Sequence, residues 1–303
     1  MRKRLVSLRR IVGLAVVLLV TLIAVPNSSV SQPDAYLVKV DTAHAVAHSS
    51  NVIWILFLGS DARPGETFTG TRSDAIHLVG INLKTGSIAA LGIPRDSWVP
   101  IPGCCTTKIN AAMVYGGPQL MAKAVANLVG ITPDYVFVTS FWGFRDIIHR
   151  IGNVTVNIPT TWSDPYLHAN FTAGKTVLDP LNALRFARSR HGLARGDFDR
   201  SADQNLLLQA ILKQVLKQRS KPGFMERVVA EVMPDLYLDN LSPADLYKLA
   251  QLVTLANPAK AKMCVLNGTT GMVGTQSVVH PDLAEAHAFA ADTKNDAKIN
   301  YAC

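Results

Sequence analysis

Apolar residues gather along this chain in short unbroken runs, which polar and glycine-rich segments separate. Val52 to Leu58 is such a run and ends in Gly59-Ser60-Asp61. This pattern is typical of a strand that is buried on both faces and opens into a loop at its carboxyl end. Ala75 to Leu83 and Ser87 to Ile93 are two further predicted strands. The short turn Lys84-Thr85-Gly86 between them predicts a hairpin.

Helical and strand patterns alternate after this hairpin. Ile109 to Val129 predicts helix, interrupted at Gly116-Gly117-Pro118, where one helix ends and proline begins the next. Tyr135 to Thr139 and Val154 to Ile158 predict strands, with a helix over 141–150 between them. Alternation of this kind around apolar strands indicates an α/β fold, and we expect a three-layer α-β-α sandwich with a central mixed sheet.

A long amphipathic helix is predicted over Asp199 to Gln218, because leucine, isoleucine and valine recur along one of its sides. Helical patterns follow at 224–233 and 243–256. After Pro258 the regular periodicity is lost, and glycine, threonine and aspartate become frequent. Residues 221–303 are therefore expected to add helical packing and a peripheral extension to a domain that spans residues 51–220.

The amino terminus has the pattern of a membrane segment. Basic residues 1–10 run into Ile11 to Val25, fifteen residues without a charge. A membrane-spanning helix needs roughly 17 to 25 residues, and a cleaved signal peptide also has an apolar core of this kind. Both alternatives stay open, with a retained helix favoured. Because excess Lys and Arg marks the cytoplasmic side, the predicted order is a cytoplasmic head (1–10), one N-terminal transmembrane helix as anchor (11–26) and an extracytoplasmic tether (27–50).

Net charge limits the classes of partner. The chain carries a formal charge of +8, but five of its positive charges lie within the first ten residues. The remaining excess is too small to indicate nucleic-acid binding by charge, and no helix-turn-helix pattern with basic recognition residues is present. We therefore expect no nucleic-acid partner.

Four cysteines, Cys104, Cys105, Cys264 and Cys303, lie in the part that is predicted to be exported. Export permits disulfides, and a bond between Cys264 and Cys303 would tie the last segment to the body of the protein. Cys104 and Cys105 are adjacent, so a bond between them would close a strained ring. No CxxC or histidine-rich spacing indicates zinc.

Arginines occur where the chain leaves predicted buried elements. Arg63 and Arg72 flank the loop after the first strand, Arg95 follows the third strand, and Arg188 and Arg190 lie close together further on. Ligands of open α/β sheets bind beyond the carboxyl ends of the strands, so these loops can converge on one crevice. A guanidinium group matches phosphate oxygens in two-point geometry, and several of them together predict a polyanionic ligand.

Arg200 lies in the first turn of the long predicted helix, where the helix dipole disfavours a cation. Asp197 and Asp199 could soften this conflict by capping the helix. A helix amino terminus also binds anions, however, and an arginine there would reinforce it. Gln204 lies one turn further on the same side, and this side continues as the apolar stripe. Both residues are therefore candidates for the binding site.

Asp61 and Asp74 each lie beside an arginine-bearing loop. Mg²⁺ prefers oxygen ligands and often uses one or two carboxylates together with substrate phosphates and water. The alternative is that these aspartates only neutralise Arg63 and Arg72 at the surface. Their position together with the arginines favours a magnesium site.

The ordered set of these motifs, over about residues 51–218, resembles the LytR-CpsA-Psr family. The matching strings are Leu58-Gly59-Ser60-Asp61-Ala62-Arg63, Arg72-Ser73-Asp74, Ile93-Pro94-Arg95-Asp96, Lys108-Ile109-Asn110-Ala111-Ala112 with Tyr115-Gly116-Gly117, Arg188-Ser189-Arg190-His191, Gly196-Asp197-Phe198 and Arg200 with Gln204.

The resemblance implies that a polyprenyl pyrophosphate is held between sheet and helices, and it assigns roles to matching positions. Asp61 and Asp74 would hold Mg²⁺. The reaction itself, rather than the resemblance, calls for a proton acceptor, and Asp96 is a candidate, its alternative being a structural partner of Arg95. The pyrophosphate would be bound by Arg72 and Arg95, which are also the catalytic arginines, and by Lys108, Arg188, Arg190, Arg200 and Gln204.

The function implied by this resemblance is that of an extracytoplasmic, membrane-anchored and Mg²⁺-dependent phosphotransferase. It would pass a glycopolymer from a polyprenyl-pyrophosphate-linked donor to a peptidoglycan hydroxyl, forming a phosphodiester and releasing polyprenyl phosphate. Membrane lipid is an expected partner, and hydrolysis of polyprenyl pyrophosphate is an expected second activity. The alternative from another class is a regulator or non-catalytic binder of anionic cell-wall polymer.

Overall fold

The computed structural model of the chain describes residues 33–43, 51–63, 66–68, 70–219 and 221–303. Residues from Pro33 to Cys303 form one compact unit. The predicted basic head and transmembrane anchor, and the first part of the predicted tether, lie outside the described residues. Within the described ranges, no helix combines the length and the apolar character that crossing a bilayer requires.

The secondary structure alternates between strands and helices along the chain. The strands are β1 (Ala35–Lys39), β2 (Val52–Ser60), β3 (Ser73–Asn82), β4 (Ile88–Gly92), β5 (Trp98–Pro100), β6 (Thr106–Lys108), β7 (Tyr135–Thr139), β8 (Val154–Ile158), β9 (Trp162–Asp164), β10 (Ala169–Phe171), β11 (Gly174–Leu178), β12 (Leu236–Asp239), β13 (Ala261–Val265), β14 (Gly268–Val273) and β15 (Gln276–Pro281). The helices are α1 (Ala112–Val129), α2 (Phe141–Ile151), α3 (Pro180–Arg188), α4 (Asp197–Gln218), α5 (Phe224–Val232), α6 (Pro243–Val253) and α7 (Leu283–Thr293).

A seven-stranded mixed sheet forms the centre of the fold, in the order β12-β1-β7-β2-β3-β4-β13. Strand β2 is parallel to β7 and antiparallel to β3, and β3 and β4 form the predicted hairpin. Strands β2, β4 and β7 therefore end at the same edge of the sheet, and β3 begins there. This edge is where the predicted site residues gather.

Both faces of this sheet are covered by helices. On one face, Leu56 and Leu78 belong to a buried cluster that includes Val125 of α1 and Phe289 of α7. On the other face, strand residues such as Ile55 pack with Leu249 of α6, and a neighbouring cluster includes Leu212 of α4. The expected three-layer arrangement around a central mixed sheet is confirmed, and its cause is that β2 is apolar on both faces.

A second apolar cluster lies apart from the main sheet. The short sheets β8–β11 and β9–β10 contribute Val156, Trp162 and Phe171, and helices α3 and α4 contribute Phe186 and Leu207. The three aromatic rings contact one another at centroid distances of 4.6–5.7 Å. Helices α2, α3 and α4 are thereby held together as a group.

The tether that we predicted over residues 27–50 is wrong for Ala35–Lys39. These residues form β1, which pairs with β7 on one side and with β12 on the other. Leu37 and Val38 face opposite sides of the sheet, and both are buried. A strand of five residues gives only a weak periodic signal, and no adjacent hairpin or helix pattern supports it here, because its partners β7 and β12 are distant in sequence.

The peripheral extension that we predicted within residues 221–303 is also wrong. Strands β12 and β13 form the two edges of the central sheet, so this segment completes the domain that we expected to end at 220. The side chains of Leu266 and Phe289 are fully buried in the core. Both edge strands are short, and a polar residue interrupts or ends the apolar run of each, Lys262 in β13 and Asp239 in β12. This hid them from a search for long unbroken apolar runs.

Two local features of the chain correspond to sequence motifs, the glycine pair before Pro118 and the cysteines. Helix α1 has non-helical backbone angles at Gly116 and Gly117, directly before Pro118, and the φ of 61° at Gly117 suits a residue without Cβ. Disulfides join Cys264 to Cys303 and Cys104 to Cys105. The first of these bonds fastens the last residue of the chain to edge strand β13.

The buried position of α7 can be tested by two substitutions on the same helix. Phe289→Ala removes a ring that is 0% exposed and should lower the free energy of unfolding by about 3–5 kcal/mol. Leu283→Ala, at a side chain that is 54% exposed, should change it by less than about 0.5 kcal/mol. Urea denaturation of both variants measures the difference. Equal effects would mean that α7 is peripheral.

Candidate functional site

A cavity of about 540 Å³ lies between one face of the central sheet and the group of helices α2, α3 and α4. Strands β2, β3 and β7 form its floor near the edge where β2 and β7 end. Its interior is apolar and its opening is charged. Such a cavity suits a ligand with a long apolar part and a polar group at one end.

The apolar interior is built from both layers. Phe57 of β2 and Phe137 of β7 contribute rings from the sheet, 5.9 Å apart between centroids. Phe144 and Ile147 of α2 and Ile211 of α4 line the helical side. Sequence reasoning missed these residues as site residues, because an inward-facing apolar side chain looks the same in a packed core and in a cavity wall.

The lining of the cavity contains six of the ten residues that the sequence predicted for the site, and two of them, Arg188 and Arg190, are exposed at its opening. Topology explains why distant segments meet here: Arg95 follows the end of β4, while Asp74 opens β3, which runs antiparallel to it. Four arginines among the six are called the arginine rim below. The six residues are Asp74, Arg95, Arg188, Arg190, Arg200 and Gln204.

Asp74 joins two guanidinium groups of the arginine rim. Its carboxylate accepts a hydrogen bond from Nη1 of Arg95 at 2.5 Å. Its backbone carbonyl accepts one from Nη2 of Arg200 at 3.3 Å. Arg200 is 5% exposed and also pairs with Asp197 in the first turn of α4. Burial lowers the pKa of Arg200, and the charge of Asp197 works against this.

Buried donors at the arginine rim lack acceptors. Among the described residues, Nε of Arg95 and Nε of Arg200 have no hydrogen-bond partner. Buried N–H groups are nearly always hydrogen-bonded, and leaving one unpaired costs about 1–3 kcal/mol. An anion at the opening would supply the missing acceptors and offset the repulsion between the arginines.

Asp164 fixes the segment that carries Arg190. Its side chain is buried, and Oδ2 accepts hydrogen bonds from the backbone N–H groups of Arg190 and His191 at 3.1 and 3.2 Å. Oδ1 accepts from Tyr166 and Leu167. Burial acts to raise the pKa of Asp164, but these four donors outweigh it and hold the pKa below its ordinary value. No sequence signal distinguished Asp164 from other loop aspartates.

Arg188 and Arg190 project from the end of α3 and are exposed. The guanidinium carbon of Arg188 lies 4.3 Å from the centroid of the Phe141 ring, within range of a cation–π contact. The rim therefore combines two exposed arginines with the half-buried Arg95 and the buried Arg200.

Asp61 and Arg72 lie together beside the cavity, outside the residues that line it. The N–H of Arg72 donates to Oδ1 of Asp61 at 3.0 Å, and the side chain of Arg72 is exposed. Burial and the negative charge of Asp74 raise the pKa of Asp61. A shared cation would remove this repulsion.

The carboxylates of Asp61 and Asp74 supply part of the ligands that a magnesium ion needs. Among the described residues, no group of three or more His, Cys, Asp or Glu is placed to hold a metal. Two carboxylates plus phosphate and water oxygens are nevertheless a common Mg²⁺ environment, because Mg²⁺ keeps several of its waters. The donor set therefore suits Mg²⁺ when an anionic substrate completes it.

Asp96 and Lys108 form a separate ion pair, with Nζ of Lys108 2.8 Å from Oδ1 of Asp96. Neither residue lines the cavity. The side-chain partner of Arg95 is Asp74, and Asp96 contributes only its nearby charge. The structure thus brings six predicted residues to the lining of the cavity and leaves Asp61, Arg72, Asp96 and Lys108 outside it.

Comparison with known proteins agrees with the resemblance in the motifs. A sequence model of the LytR_cpsA_psr family matches residues 21–295. The chain is similar to the polyisoprenyl-teichoic acid–peptidoglycan teichoic acid transferase TagU of Bacillus subtilis, with 31% identity over 191 residues, 62% of this chain and 61% of TagU. It therefore spans about three fifths of the length of that relative.

Solved structures share the fold. B. subtilis TagV aligns with a TM-score of 0.66 and 25% identity, covering 80% of this chain and 98% of that structure. TagT (YwtF) of B. subtilis, solved with bound octaprenyl pyrophosphate lipid, aligns with a TM-score of 0.60 and 23% identity. That alignment covers 81% of this chain and 93% of that structure. At this level of identity it shows that the two proteins share a fold.

The role of Asp164 in holding the Arg190 segment predicts a measurable loss of stability. Asp164→Asn turns an amide NH₂ toward backbone donors and should lower the free energy of unfolding at pH 7 by about 2 kcal/mol. Because the pKa of Asp164 is depressed in the folded state, the wild-type advantage should persist above about pH 4 and shrink as the pH falls below it.

Asp179→Asn is the matched control for this substitution. Asp179 caps α3 by accepting from the N–H of Asn182, and asparagine caps helices about equally well. Its effect should therefore stay within about 0.5 kcal/mol. Urea denaturation at pH 7 and pH 3 compares the two variants, and equal effects would argue against a special role for Asp164.

Proposed function

Because this chain belongs to the LytR_cpsA_psr family, we propose that it transfers a glycopolymer from a polyprenyl-pyrophosphate-linked donor to a hydroxyl group of peptidoglycan. The observation that carries this proposal is the cavity, in which an apolar interior ends at four arginines. A lipid with a pyrophosphate head has the same two properties in the same order.

Donor binding follows from the two parts of the cavity. The isoprenoid tail would occupy the space between the sheet and α2, where Phe57, Phe137 and Phe144 provide apolar surface. The pyrophosphate would lie at the arginine rim, where it would accept hydrogen bonds from Nε of Arg95 and Nε of Arg200, which have no other acceptor among the described residues. The similar fold of TagT, which was solved with octaprenyl pyrophosphate, supports this placement.

The transfer is a substitution at phosphorus. An acceptor hydroxyl oxygen forms a bond to the phosphorus that carries the glycan, and the bond from that phosphorus to the bridging oxygen breaks. Polyprenyl phosphate leaves with the bridging oxygen, and the hydroxyl proton passes to a base or to water. The products are a phosphodiester between glycan and peptidoglycan, and polyprenyl phosphate. With water in place of the acceptor, the same step would give the glycan phosphate and polyprenyl phosphate, and polyprenyl pyrophosphate without a glycan would give inorganic phosphate and polyprenyl phosphate.

The arginine rim would lower the barrier by charge. Negative charge on the pyrophosphate repels an attacking oxygen, and charge on the leaving phosphate increases as the bond breaks. Fixed guanidinium groups stabilise both without reorganising, and this electrostatic contribution is usually the largest one in such sites. Asp74 holds Arg95 and Arg200 in place before the donor arrives.

Asp61 and Asp74 would hold Mg²⁺ once a donor supplies phosphate oxygens. The ion would add positive charge at the pyrophosphate. We propose that Asp96 holds Lys108 in position rather than accepting a proton, because its carboxylate is paired with Lys108 and does not line the cavity.

A decisive assay combines the full chain with a polyprenyl-pyrophosphate glycan, an oligomeric peptidoglycan acceptor and Mg²⁺. A phosphodiester-linked product together with released polyprenyl phosphate is expected. A folded protein that binds the donor but forms neither product would instead be a regulator or binder of wall polymer.

Two nearby arginines offer a matched comparison in this assay. Arg190→Ala removes a rim contact and should lower turnover at least a hundredfold, the scale of one lost charge-stabilising donor (about 10²–10³-fold). Arg195→Ala, at a side chain 63% exposed and paired with Asp199 in the same segment, should leave turnover within about twofold. Asp74→Ala should match Arg190→Ala. Unchanged melting temperatures would exclude unfolding, and full activity of Arg190→Ala would overturn the site.

We also propose that the chain is a single-pass membrane protein with its amino terminus in the cytoplasm and the domain outside. This proposal rests on the basic residues 1–10 before the apolar run. A reporter enzyme that functions only outside the cytoplasm should be active when it is fused after Cys303. Activity of a reporter that works only inside would contradict this orientation.

A further inference from the structure

His77 is a buried titratable residue in the wall of the cavity that the proposed reaction does not use. It lies on β3, three residues after Asp74, and is 2% exposed. Its ring Nδ1 lies 3.0 Å from Oδ1 of Asn205, and its Nε2 lies 2.9 Å from Oε1 of Gln204. Both amides belong to α4, one turn after Arg200.

The orientation of both amides is fixed from their other ends. Nε2 of Gln204 donates to the backbone carbonyl of Ala187 at 2.8 Å, and Nδ2 of Asn205 donates to the carbonyl of Cys264 at 2.9 Å. A backbone carbonyl only accepts hydrogen bonds, so each amide must turn its NH₂ group toward the carbonyl. Each amide must then turn its oxygen toward the imidazole.

The imidazole is therefore placed between two acceptors. A neutral ring has a single N–H and can satisfy only one of them, and its other nitrogen faces an oxygen with a lone pair. A ring protonated at both nitrogens satisfies both oxygens. The site thus has the hydrogen-bonding geometry for an imidazolium in a place where burial disfavours charge.

The groups around the ring decide whether the imidazole of His77 is neutral or carries the second proton. Burial lowers the pKa of His77, the two amide oxygens act to raise it, and the positive charge of Arg200 lowers it again. Two further neighbours of the ring are uncharged: Phe57 is its partner on β2, and Gly92 of β4 lies against the ring. Beyond them, Asp74, Arg95 and Arg190 lie at the cavity opening.

We propose that His77 takes up a second proton when a pyrophosphate group occupies the arginine rim. This inference rests on the proposed function, because the pyrophosphate belongs to the donor. The anion would offset the charge of Arg200 at the ring, and one proton would come from solvent. The imidazolium would then donate to both Gln204 and Asn205 and hold the first turns of α4, including Arg200, around the donor. His77 is thus a positioning residue whose protonation is coupled to donor binding.

Nitrogen NMR of the full chain in detergent micelles, with ¹⁵N-labelled histidine, reads the ring directly. Farnesyl pyrophosphate is the probe, and farnesol, which has the same tail without charge, is the control. At pH 7.5 the nitrogens of His77 should shift to imidazolium values with farnesyl pyrophosphate and stay neutral with farnesol. His191, which also lines the cavity, is a rival proton acceptor, and His191→Gln identifies its signals and removes its contribution.

The outcomes separate this inference from the proposed function. Bound farnesyl pyrophosphate with His77 still neutral would overturn the inference and leave the proposed function standing. An imidazolium already present at pH 7.5 without ligand would also overturn it. Failure of farnesyl pyrophosphate to bind would count against both.

Affinity as a function of pH gives a second readout that a purely structural role would not change. Uptake of one proton should weaken the wild-type affinity for farnesyl pyrophosphate by up to about tenfold per pH unit, relative to His77→Gln, as the pH rises between the two pKa values. The probe's own ionisation is common to both proteins and cancels in this comparison. Parallel pH profiles would refute the coupling. If His77→Gln fails to fold, the NMR experiment still tests the coupling, because it relies on His191→Gln and not on a variant of His77.

Discussion

The pairing of Asp74 with both Arg95 and Arg200 is the interaction on which the arginine rim depends. Arg95 and Arg200 come from segments more than a hundred residues apart, and both are partly or fully removed from water. Two cations in such a position repel each other strongly, because the surrounding protein screens charge poorly. Asp74 contacts both residues, through its side chain and its backbone, while Asp197 pairs with Arg200 from the first turn of α4.

Sheet topology supplies the rest of the arrangement. Strands β2, β4 and β7 end at one edge, and β3 begins there, so the loops that carry charged residues meet without a long excursion of the chain. The same sheet face that supports the apolar interior ends at the rim. One ligand can therefore contact both regions, and its binding energy combines burial of apolar surface with charge pairing.

The sequence predicted those parts of the fold and of the site that a short stretch of residues is enough to identify. Unbroken apolar runs identified β2 and β7, and a glycine pair before Pro118 marked the break in α1. Arginines after strands indicated an anion site, because guanidinium groups are rarely grouped without a partner. Strands β1, β12 and β13 were not predicted, because they are identified by pairing with strands that are distant in sequence. Asp164 and His77 escaped for a related reason: their roles depend on partners such as Arg190 and Gln204, which are distant in sequence.

Strand β1 also determines how the domain would respond to mechanical load. It lies between β7 and β12 and is bonded along its length to both. A pull on Pro33 along the strand would load these hydrogen bonds together, in shear, rather than opening them one after another. With the proposed membrane anchor ahead of Pro33, tension between the membrane and the cell wall would act along β1 in this way. The short strand that the sequence concealed is thus the part of the fold best placed to resist being pulled open.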